Sequence, residues 1–71
     1  MGNFELSNQI KVQRAIRNIT QEELATHIGV TRKTINTIET GKYVPSTILA
    51  IRMARFFGIS VEELFTLVEK E

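Results

Sequence analysis

Two adjacent cations, Arg32 and Lys33, stand directly behind a threonine in the stretch TRKTINTIETGKY, which runs from Thr31 to Tyr43. Thr31 has the character of a helix N-cap, whose side-chain oxygen accepts from a free backbone N–H. The first turn of a helix is the positive end of its dipole, so it favours anions and disfavours cations. Arg32 and Lys33 are therefore set against the electrostatics of their own helix. A polyanionic ligand reverses that balance, because the cations and the free helix amides then face the same negative charge. Ordinary solvation charge is the alternative, and it gives no reason for this placement.

The wider charge distribution points the same way. Between Asn8 and Arg55 eight cations face only three acids, Glu22, Glu23 and Glu39. The two ends reverse the sign: Glu5, Glu62, Glu63, Glu69 and Glu71 outweigh Lys70, and the net charge is only +1. Blocks of opposite sign suggest one surface for a polyanion and another turned away from it. Other chemistries find little support. The chain has no cysteine and one histidine, His27, so disulfides, thiolate zinc sites and multi-histidine metal sites are excluded. No paired acids, nucleophile–base pair or phosphate-cradling glycine run is present, and no cofactor or small-molecule ligand is implied. No apolar run approaches a membrane span, and no secretory signal opens the chain, which reads as a reduced, cytoplasmic protein.

The elements that position these residues follow from local punctuation. A chain of 71 residues makes one domain at most. Good helix formers occupy Asn8 to Arg17, and Asn18 breaks them. Thr20-Gln21-Glu22-Glu23 is a capping box opening a short helix to Ile28, which Gly29 ends. Thr31 opens a third helix to about Thr40, closed by Gly41. Pro45-Ser46 opens a fourth that stops at Gly58. Ser60-Val61-Glu62-Glu63 is a second capping box and starts a fifth helix through Phe65 or Leu67. Phe4-Glu5-Leu6 and Phe65-Thr66-Leu67-Val68 favour extended backbone and are long enough for a short strand pair. The expected fold is all-α, a compact five-helix unit, with its terminal segments available to pair. The core candidates are Ile35, Ile38, Leu49, Ile51, Met53, Ala54, Phe57, Ile59 and Leu64. His27 is expected on the surface of the second helix.

Within Gln21 to Thr40, Leu24, Ala25 and Ile28 form one inner face and Ile35 and Ile38 another. So few residues join these two helices that they must cross steeply, and Ala25 supplies the small residue a close crossing needs. This is the helix-turn-helix arrangement, whose second helix enters the DNA major groove. The segments TQEELATHIGVTRKTINTIETGKYVPS and LAIRMARFFGISVEELF closely resemble the Cro and repressor type of helix-turn-helix regulators, in register and without insertions. The resemblance covers roughly 8–65, with the recognition unit at 21–40 and the segments 1–7 and 66–71 outside it.

That resemblance implies a regulator that binds double-stranded DNA, with roles for individual residues. Gln21 matches a glutamine that hydrogen-bonds a phosphate. Thr31, Arg32 and Lys33 fall on the first turn of the recognition helix, with Asn36 and Thr37 one turn further on. Arg32 can pair bidentately with guanine and Asn36 can read adenine. Lys33 replaces a glutamine common in the family, which shifts expectation toward guanine or phosphate. Lys42 and Tyr43 match the loop that grips the DNA backbone, and Arg14 and Glu39 match an ion pair between the first and third helices. Gln13 and Ile16 depart from the family pattern: either the first helix is rotated, or Ile16 joins an exposed apolar patch. Phe4, Leu6, Phe65, Leu67 and Val68 add apolar surface at the ends, so a homodimer on a palindromic operator is expected, with repression by occupancy. A protein-interaction module, such as the antitoxin of a toxin–antitoxin pair, is the alternative.

Overall fold

Apolar side chains recur at helical spacing in this chain, and they meet in one cluster. A computed structural model of the protein describes residues 3–70. The order is β1 (Asn3–Asn8), α1 (Ile10–Arg17), α2 (Gln21–Ile28), α3 (Arg32–Glu39), α4 (Thr47–Phe57), α5 (Val61–Leu64) and β2 (Phe65–Lys70). Ile10 of α1, Leu24, Ala25 and Ile28 of α2, Ile35 and Ile38 of α3, Met53, Ala54 and Phe57 of α4, and Leu64 with Phe65 are buried together. Leu6, Ile19, Val30, Leu49 and Ile59 pack against them from the periphery.

The starts of α2 to α5 are each fixed by the side chain in front of them. Thr20 and Ser60 form complete capping boxes with Glu23 and Glu63, while Thr31 and Ser46 accept from the amides of Thr34 and Leu49. Asn18 ends α1 in the left-handed region at φ 55°, which asparagine tolerates better than most residues.

The fold is mostly helical but not purely so. β1 and β2 pair antiparallel within one chain, in the register Leu6 opposite Leu67 and Asn8 opposite Phe65. The expected start of the first helix at Asn8 is corrected by this pairing, because Asn8 is the last residue of β1. The fifth helix likewise ends at Leu64, short of Phe65 or Leu67. Phe65 turns extended, at φ −124° and ψ 134°, so that its ring stays in the core while its backbone starts β2.

Ile51 is the other correction. It is 42% exposed, because it lies about 160° round α4 from Met53, which is fully buried. Ile16 is 69% exposed, so the first helix leaves it on the surface. Of the terminal segments, residues 1, 2 and 71 lie outside the described residues.

Candidate nucleic-acid interface

The turn between α2 and α3 is built by hydrogen bonds to a single carbonyl. Gly29 and Val30 both donate their backbone N–H to Ala25 O, at 2.8 and 3.0 Å. Gly29 does so at φ +87°, a conformation that costs a residue with a Cβ. Thr31 then turns extended and caps α3, its Oγ1 accepting from Thr34 N at 3.2 Å.

This geometry exposes both first-turn cations, on two flanks of α3. Arg32 joins Arg14 and residues 18–22 around a depression toward α2. Lys33 lines a second, shallow groove with Thr34, Thr37, Lys42 and Tyr43. The loop after α3 is folded back to make that groove: Lys42 N and Tyr43 N both donate to Thr37 O, at 2.9 and 3.1 Å. Tyr43 is half exposed. Thr37 is half-buried, and its hydroxyl donates to Thr34 O at 2.9 Å, so what it offers outward is acceptor character.

A polar network fixes α3 against the rest of the protein. Arg14 grips Glu39 bidentately, with Nε at 2.7 Å from Oε2 and Nη2 at 3.0 Å from Oε1, and Nη1 donates to Ile19 O at 3.1 Å. The hydrogen bond to the Glu39 carboxylate pushes the Arg14 pKa up, which favours the charged form further. Gln21 belongs to the same network. Its Nε2 donates to Glu39 Oε1 at 3.3 Å and to Asn36 Oδ1 at 3.1 Å. The side chain expected to reach a phosphate therefore has both its hydrogens engaged inside the protein.

Asn8 and Arg17 were not singled out by their sequence context. Asn8 Nδ2 donates to Ile38 O at 3.1 Å and Glu39 O at 3.3 Å, holding the last carbonyls of α3, while its Oδ1 accepts from Ile10 N. An asparagine ahead of a helix is a capping signal, but its partners in α3 lie far along the chain. Arg17 donates to Phe57 O at the end of α4 and sits 5.1 Å above the Phe57 ring. His27 is exposed on α2 and stacks at 4.9 Å on Phe56. Among the described residues no group of three or more His, Cys, Asp or Glu could hold a metal ion, and no helix is long and apolar enough to cross a membrane.

A helix-turn-helix family model matches residues 10–64, most of the chain. The protein belongs to the helix-turn-helix family, in its Cro/repressor-type branch. This helix-turn-helix protein is 47% identical over 66 residues to an HTH-type transcriptional regulator of Methanocaldococcus jannaschii, covering 93% of this chain and all of that one. Two more distant relatives carry functional names of opposite sign. A transcriptional activator of Enterococcus faecalis is 33% identical over 96% of this chain and 36% of its own. A cryptic phage transcriptional repressor of Vibrio cholerae is 34% identical over 82% of this chain and 52% of its own. Among solved structures, a candidate DNA-binding protein from Bacteroides fragilis superposes with a TM-score of 0.76 at 26% identity, covering 86% of this chain and 98% of that one. The helix-turn-helix protein is accordingly a DNA-binding transcriptional regulator and not an enzyme.

Proposed function

We propose that the protein is a sequence-specific repressor that binds a palindromic operator in the cytoplasm as a homodimer, with α3 in the major groove. The observation that carries this reading is the pair of exposed cations on the first turn of α3, flanked by the groove that Lys42 and Tyr43 close. Thr31, Arg32 and Lys33 lead into the groove, and Arg32 reaches a guanine edge. Thr37 faces the same groove wall as Lys33, and Lys42 and Tyr43 grip the adjoining phosphates. Gln21 and Asn36 act together on the α2 flank. Arg14 and Glu39 hold the recognition helix in place.

Dimerisation is supported by apolar surface that one copy leaves open. Leu6, Pro45, Ala50, Ile51, Val61 and Phe65 line a depression, with the exposed side chain of Ile48 nearby on α4. A two-fold pairing through that side sets two recognition helices about 34–36 Å apart, one turn of DNA. Occupancy alone then blocks a promoter. The test is selection of bound sequences from a random duplex pool: a recovered motif with two-fold symmetry is expected. Recovery of no motif defeats the reading, and an asymmetric motif defeats its dimeric part.

A further inference from the structure

The hydrogen bonds around Gln21 decide which way Asn36 faces. Glu39 is held by Arg14 through both carboxylate oxygens, and an ionised carboxylate only accepts. The Gln21 amide group 3.3 Å from Glu39 Oε1 must therefore be its NH2, since the reverse orientation would set two acceptors against each other. That nitrogen carries two hydrogens, and the second points to Asn36 at 3.1 Å. The Asn36 atom there must accept, so it is Oδ1. Each orientation is dictated by the one before it, beginning at a nearly buried ion pair whose side chains are 15% and 6% exposed.

Two consequences follow for the DNA-facing surface. Gln21 has no hydrogen left to offer a phosphate; the only side-chain atom it has to spare is an acceptor. Asn36 is exposed one helical turn beyond Arg32, and its Nδ2 faces away from Gln21. Reading adenine requires the asparagine oxygen to accept from the base while the nitrogen donates. Here one lone pair of that oxygen is taken by Gln21 and the oxygen is turned toward α2, which leaves the NH2 as the group presented outward.

We propose that Gln21 is a positioning residue for Asn36, holding it with its NH2 outward, so that Asn36 donates to an acceptor on the DNA rather than reading adenine. The acceptor is a guanine edge or a backbone phosphate oxygen. This rests on the DNA-binding reading above and adds the polarity of one contact. It also explains why Gln21 accompanies the Arg14–Glu39 pair: the three residues transmit a fixed orientation from the core to the surface.

The experiment compares wild-type protein with Asn36→Ala, Gln21→Ala and the double variant, each used to select duplexes from a random pool and titrated on the wild-type consensus. Asn36 is exposed and Gln21 half-buried, so equal thermal midpoints check that both single variants fold. Each single substitution is expected to weaken binding by roughly two- to tenfold, and the double variant by no more than the larger of the two. Relaxed selection at a G·C position in both single variants identifies a guanine acceptor. An equal loss on every sequence, with no position relaxed, identifies a phosphate. Relaxation at an A·T position overturns the proposal, as does unchanged affinity in Asn36→Ala. Additive losses also overturn it, because Gln21 would then touch DNA independently. Should the wild-type protein itself select no motif, the DNA-reading assignment fails before this comparison begins.

Discussion

Arg32 and Lys33 carry opposing demands from stability and binding. Their charges oppose the dipole of α3, and nothing acidic stands in its first turn to offset them. Arg32→Glu should therefore raise unfolding stability by roughly 0.3–1 kcal/mol, read from chemical denaturation, while removing binding to the selected operator. Arg32→Ala and Lys33→Ala should each weaken binding about ten- to a hundredfold with the thermal midpoint nearly unchanged. A variant that binds normally would remove these residues from the interface. Glu39 stands in the opposite position: it satisfies Arg14 and Gln21 together, and its side chain is only 6% exposed. Glu39→Ala strands a partly buried guanidinium, and a loss of about 2–4 kcal/mol in denaturation is expected.

Among the elements, the starts of α2 to α5 are legible because each cap reaches only three residues ahead, whereas α1, which Gln9 does not cap, starts later than its helix formers suggest. Thr20 with Glu23, Thr31 with Thr34, Ser46 with Leu49 and Ser60 with Glu63 all act within one turn. What could not be read locally depended on partners far along the chain. Phe65 looks like a helix continuation until β1 is there to pair with it, and the Asn8 contact to Ile38 spans thirty positions. Ile51 was misread because an isoleucine in an apolar run looks like core, whereas its angle round α4 decides its exposure. At the proposed interface the residue types can be read along the chain but their orientations cannot: the link from Gln21 to Asn36 exists only once α2 and α3 cross. Two element-level tests follow from the termini. Gly29→Ala forces a Cβ into φ +87° and should cost about 1–2 kcal/mol, although the nearest atom to that Cβ, on Arg52, is at an ordinary 3.6 Å. In the Ser60 capping box, the hydrogen bond from the Ser60 backbone N–H holds the Glu63 carboxyl below its ordinary pKa. A depressed folded pKa adds stability above the unfolded value and loses it as pH falls through the folded one. The advantage of wild type over Glu63→Gln in denaturation midpoint should therefore be present at neutral pH and vanish on acidification.

For the whole molecule, Arg32, Lys33 and Lys42 lie on α3 and the loop after it with Arg14 beside them, while Glu5 and Glu69 lie on the strand pair and Glu62 and Glu63 on α5. Operator affinity should fall steeply as salt rises, and removing a cation proposed to contact phosphate, such as Lys42, should flatten that slope by about one unit. The apolar side at Ile48, Ile51 and Val61 belongs to the same scale, since it is the surface the proposed dimer would cover. Ile48→Glu should give a species of half the mass in sedimentation, with tertiary structure retained and operator affinity reduced. A wild-type protein already sedimenting as a monomer at tens of micromolar would remove the dimer from the mechanism.

The strand pair sets a schedule for biosynthesis. Of the described elements β1 is translated before the five helices and its partner β2 after them, with Asn3 opposite Lys70. During translation the nascent chain can assemble α1 to α4 around Leu24, Ile35 and Met53, but the Leu6 side of that nucleus stays uncovered until β2 has been made. Closing so long a loop adds little extra entropy cost over a moderate one, but it cannot begin early. Asn8, at the end of β1, is the residue that clasps the last carbonyls of α3. Helix α3 thus acquires this brace only when β2 arrives, so a chain truncated before Phe65 would carry Arg32 and Lys33 without the clamp that holds the end of α3.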